Sequence, residues 1–159
     1  MTEYNSKHST VRRAPYELYM AFVDMSNFKN YLPAEKQKDV EADYDSIIVN
    51  VQNFQIGAKV LERQPYSRIS IVDFGQSPFA FKVDLCFDPV PNDQNATDFH
   101  IDAQADLNFM MRTMLGKKIQ EGLDKIADSL AALSEGRMPE GMDPSMFHGM
   151  DDYFHGGSK

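Results

Sequence analysis

The chain has 159 residues, 42% of them hydrophobic and 11% aromatic, enough for one domain with a sizeable core and a short tail. That composition excludes wholesale disorder. A formal net charge of −8, with basic residues only single or paired as in Arg12-Arg13 and Lys117-Lys118, argues against nucleic acid or an anionic membrane as partner. The lone cysteine, Cys86, allows no intramolecular disulfide and no cysteine-based zinc site. Residues 1–10 are polar and lack the apolar centre of a signal peptide. No apolar run approaches the ~18 residues of a membrane span, so a cytoplasmic protein is expected.

In chain order, residues 3–13 read as a first strand, with Thr10-Val11 its clearest piece. Ala14-Pro15-Tyr16-Glu17 is a helix start: proline suits the first turn and Glu17 suits the positive end of the helix dipole. That helix runs through Leu18, Met20, Ala21, Phe22 and Val23. Asp24 then ends it and caps a second short helix over 25–31, closed by Leu32-Pro33.

From Val40 onward the hydrophobic period is two. Ile47 and Val49, then Ala58 and Val60, then Ile69 and Ile71 point to one side. Phe79, Phe81, Val83, Leu85 and Phe87 follow, and Phe99, Ile101, Ala103, Ala105 and Leu107 complete the set. The Pro, Asn and Asp residues of 89–95 mark a hairpin loop. The economical reading is an antiparallel meander with one apolar face.

The folded part ends in one long amphipathic helix over about 108–133. Met111, Leu115, Ile119, Ile126, Leu130 and Leu133 share a face, and Gly122 falls within the stripe. A sheet with one apolar face needs that helix as its cover. Glycine inside a helix costs about 1 kcal/mol against alanine, so Gly122 is expected either to admit a bulky strand side chain or to leave room for a ligand.

The order of strand, two short helices, meander and closing helix resembles the helix-grip arrangement of the START-like (SRPBCC) superfamily, which includes lipid-transfer domains, polyketide cyclase/dehydrase-like proteins and coenzyme Q-binding proteins. The resemblance rests on Ala14-Pro15-Tyr16-Glu17, Asp24-Met25-Ser26-Asn27-Phe28, Leu32-Pro33, the 63–69 segment RQPYSRI and the terminal helix to Leu130. It implies an α+β domain over 1–133, in which a curved antiparallel sheet of six to seven strands wraps the long helix around a cavity for a hydrophobic molecule. It carries over no catalytic role.

The cavity set expected from alternation is Tyr19, Phe22, Val49, Val60, Ile69, Ile71, Phe81, Val83, Leu85, Phe99, Ile101, Met111, Leu115, Ile119 and Gly122. That set holds no titratable group beyond a tyrosine, with Glu62 and Asp73 only near strand ends. It therefore fits binding of a lipid- or polyketide-like molecule without catalysis, cofactor or metal. A cyclase, dehydrase or hydrolase acting in the same cavity would need an inward polar cluster. His100 and Asp102 lie on the opposite, outer side unless a bulge shifts the register, and Cys86 shares that side. Ile48, Leu61, Val72, Phe74 and Ala80 give the outer side an apolar component, which leaves homodimerisation open. Residues 134–159 form a Met- and Gly-rich tail. It reads as a flexible or docking segment, or as a metal-binding one through His148, His155, Asp151 and Asp152.

Overall fold

A computed structural model describes residues 1–30, 34–51 and 54–136. The expectations for Tyr31, Leu32-Pro33 and the Met-rich tail lie outside the described residues. The elements are strands β1 (Thr2–Asn5) and β2 (Ser9–Val11), then helices α1 (Pro15–Phe22), α2 (Ser26–Asn30) and α3 (Ala34–Gln37). Strands β3 (Val40–Ala42), β4 (Ser46–Val51), β5 (Phe54–Gln64), β6 (Arg68–Phe74), β7 (Phe81–Val90) and β8 (Asp93–Ala105) follow, and helix α4 (Phe109–Ser134) closes the fold. All strands pair antiparallel in the order β1-β8-β7-β6-β5-β4-β3, with β2 also on β8. This α+β helix-grip is the expected architecture with more strands than the sequence pattern resolves.

The extra strand comes from a break in the first one. Between β1 and β2 the Ser6 amide donates to the Ile101 carbonyl, and the Ser6 hydroxyl accepts from the Ile101 amide, each at 2.8 Å. Ser6 thus replaces one rung of the ladder with its side chain, and the chain re-enters the sheet at Ser9. Also unlike the sequence reading, the loop expected over 89–95 is a tight turn between Val90 and Asp93. Asn92 takes a φ of 66° there, a left-handed conformation that asparagine tolerates.

Helix starts follow local chemistry. Pro15 opens α1 while the Glu17 carboxylate reaches back to the Ala14 amide at 3.3 Å. Asp24 caps α2 by accepting from the Ser26 amide at 2.9 Å and its hydroxyl at 2.6 Å. Asn108 caps α4 through the Met111 amide at 2.8 Å.

One end of the concave face is a solid core. Phe22 of α1 packs on Phe28, Phe87 and Phe99 with centroids 5.4, 6.3 and 6.5 Å away. Leu18, Met25, Ile69, Ile101 and Leu130 fill the space around these rings. Arg63 locks the same end from the inner side of β5. Its guanidinium donates to the carbonyls of Val23 and Tyr44 and to Asp45, and it lies over the Tyr44 ring at 4.0 Å. α1 is thereby tied to the β3–β4 turn across the sheet.

Candidate functional site

Register sets the two faces. Ile69 opposes Leu85, Ile71 opposes Val83 and Val60, and Ile47 and Val49 oppose Ala58 and Ile56, so these side chains share the concave face below α4. A bulge between Val60 and Glu62 pushes Leu61 outward and lets Arg63 return to the inner side.

α4 does not lie centrally over this face. It packs on β1, β2 and β8, through Met111, Ile119, Leu123, Ala127 and Leu130 together with the closely approached Gly116. Gly116 is the glycine that admits a strand side chain: a Cβ there would stand 3.1 Å from the Tyr4 hydroxyl. Gly122 does not play that part. It is exposed, with no heavy atom within 4 Å of its Cβ position. By helical period Gly122 shares a side of α4 with Leu115, Ile126 and Leu133. Leu133 packs on the main core, whereas Ile126 near the middle of the helix is 48% exposed. That side of the helix is therefore covered at its C-terminal end and more open from its middle toward its N-terminal end.

The expected cavity residues divide along this line. Tyr19, Phe22, Ile69, Leu85, Phe99 and Ile101 are packed into the closed end, where Ile69, Phe99 and Ile101 retain only 0–1% exposure. Ile71 is buried at the boundary. Val49, Val60, Phe81, Val83, Met111, Leu115 and Ile119 are only partly covered. Ile56 and Leu123, absent from the sequence-derived set, join these by register and helical phase. The open end of the concave face is thus lined by part-covered apolar side chains.

Its polar endowment is small. Asp73 faces inward beside Ala58, where its carboxylate accepts from the Phe81 amide at 3.0 Å. Arg63 is engaged as described. Tyr19, whose phenol is pushed above its ordinary pKa chiefly by burial, sits edge-on to Tyr66 and Phe87 in the closed end. Tyr16 is exposed and packs edge-on against Tyr66.

On the outer face the register is regular through His100 and Asp102, and both point away from the groove as expected. His100 is nevertheless largely covered. Cys86 on the same side is buried, and burial pushes its thiol up to about 12 with the neighbouring carboxylates adding to the effect. A shallow polar depression of about 220 Å³ lies beside these residues, lined by Glu3, Asn5, Lys82, Asp84, Asp102 and Gln104.

No protein-family model matches the chain, and no curated protein matches its sequence. Solved structures share its fold. Norcoclaurine synthase from Thalictrum flavum superposes with a TM-score of 0.63 at 9% identity, over 83% of this chain and 85% of that one. A protein from Thermobifida fusca gives 0.62 at 13% identity, over 86% and 95%. The Aha1 dimer from Colwellia psychrerythraea gives 0.57 at 14% identity, over 82% and 97%. The fold is that of the START-like (SRPBCC) proteins.

Proposed function

We propose that this chain binds a small hydrophobic molecule in the groove between α4 and the concave face, without transforming it. The observation that carries this reading is the set of part-covered apolar side chains on the concave face, Val49, Val60, Phe81 and Val83, and on α4, Leu115 and Ile119. Burying an apolar side chain is worth about 1.5–3 kcal/mol, so a ligand that finishes covering several of them gains affinity without any new protein contact. The scarcity of polar groups supports binding over catalysis. General acid–base chemistry needs a titratable group free to reach substrate, and the charged side chains that approach the groove are held by backbone partners. The test is titration of an apolar fluorescent fatty acid into the protein and into Leu115→Glu. Loss of saturable binding in the variant, with an unchanged unfolding midpoint, supports the groove; equal affinity in both overturns it.

A second reading concerns self-association through the outer face. Leu61 on the bulge is exposed, beside partly exposed Val72 and Phe74, and one protein of the same fold is described as a dimer. Sedimentation of the wild type against Leu61→Lys tests it: a dimer that dissociates in the variant supports this surface, and a monomer throughout contradicts it.

A further inference from the structure

The outer face carries a second cluster that the groove does not use. Ser9 opposes Phe99, so His8 one step earlier meets His100, while Cys86 opposes His100 from the other side. The two imidazoles stack with centroids 4.1 Å apart and planes 19° apart. His8 Nδ1 stands 3.0 Å from Asp98 Oδ1. His100 Nε2 is 3.4 Å from Asp102 Oδ2, and its Nδ1 is 3.7 Å from Asp88 Oδ2. That Nδ1 is buried and has no hydrogen-bond partner.

We propose that His8, Asp98 and His100 bind one divalent transition-metal ion of the zinc type on the outer face of the sheet. Imidazole nitrogen and carboxylate oxygen are the donors such ions take. The three ligand atoms already lie within 4.8 Å of one another. Tetrahedral ligands about 2.1 Å from zinc stand roughly 3.4 Å apart, so closing the site takes a movement on the order of an ångström. His8 supplies it. Its side chain is 60% exposed, and swinging out of the stack turns its lone pair toward the one on His100.

The surroundings favour the ion as well. The Asp102 carboxylate beside Nε2 would hold a proton on that nitrogen when Nδ1 ligates an ion, the arrangement found around metal-bound histidines. Nδ1 points to the side of Asp88, the cross-strand partner of Asp98. A histidine–carboxylate network without metal leaves that buried nitrogen unpaired, whereas buried polar atoms nearly always find a partner. Asp88 on the Nδ1 side of His100 and Asp102 on its Nε2 side add negative charge that draws a cation toward the ring. Cys86, His100 and Asp102 form an overlapping set, but Cys86 is buried and the set lacks the exposed His8.

Equilibrium dialysis of the full chain against Zn²⁺, with bound metal counted by atomic emission, tests this directly. One ion per chain is expected, with affinity falling at least tenfold in His8→Ala and in Asp98→Asn. His8 is exposed, so His8→Ala keeps its circular dichroism and unfolding midpoint. The tail holds the chain's two other histidines, and a His148→Ala/His155→Ala double variant should bind as the wild type does. With Co²⁺ as probe, the spectrum should show ligand-field bands without thiolate charge transfer. No bound Zn²⁺ at 100 µM free metal (about 5.5 kcal/mol of affinity), unchanged affinity in His8→Ala, loss in the tail variant alone, or a thiolate band would each overturn the assignment.

Discussion

The two ends of the concave face are built from the same alternating residues and differ in what covers them. At the closed end α1, α2 and the C-terminal half of α4 converge on Phe22, Phe87 and Phe99, and Arg63 ties α1 to the sheet from the inner side. At the other end β4 and β5 continue the sheet, but α4 has moved off toward β1 and β8. Apolar side chains there, such as Val49, Val60 and Leu115, are only partly covered by the described residues. The lesson is that alternation marks which side chains face inward, while the position of the covering helix decides which of them become core and which become groove.

Substitutions separate the two ends, beginning with the largest expected effect. Phe99→Ala removes a fully buried ring from the closed end and should cost about 3–5 kcal/mol, as large aromatic truncations in cores do. Urea unfolding measures it; a cost below about 1 kcal/mol would mean that the closed end is not solid. Gly57→Ala tests the frame of the open end. A Cβ at that position would collide with the Phe74 carbonyl oxygen, so a loss of about 1–3 kcal/mol is expected from overpacking.

Leu115→Glu, by contrast, should change stability by less than about 1 kcal/mol because the site is already part-exposed. Its effect should fall on apolar ligand binding instead. The smallest expected effect distinguishes the two helical glycines. Gly122→Ala meets open space and should stabilise by up to about 1 kcal/mol through helix propensity. Gly116→Ala must press on the Tyr4 hydroxyl, and that contact offsets the gain. A thermal midpoint that rises for Gly116→Ala and falls for Gly122→Ala would reverse the placement of α4.

Much of this was legible in the sequence. The period of two from Val40, the proline-led start of α1, the Asp24 cap and the long final helix identify the elements and their order. The phase of α4 was less legible. Its contact side includes Gly116, Ala127 and Ser134, small residues that a search for hydrophobic stripes passes over, so Gly122 drew the attention that Gly116 deserved. Arg63 was hidden for the opposite reason. A charged residue on a strand reads as solvent-facing until a bulge turns it inward to waiting carbonyls. His8 and His100 come from opposite ends of the sheet-forming chain, and only the β2–β8 register brings them together. The partition of the concave face depends on where α4 settles, which is a property of packing and has no local signature.

The most direct test of a groove that awaits an apolar molecule is native mass spectrometry of the protein purified from its own host, repeated under denaturing conditions. The account predicts an added mass that persists in the native spectrum, leaves on denaturation, and is missing from Leu115→Glu prepared in the same way. An added mass retained by that variant, or a wild type that remains bare when incubated with the lipid extract of its host, would contradict it.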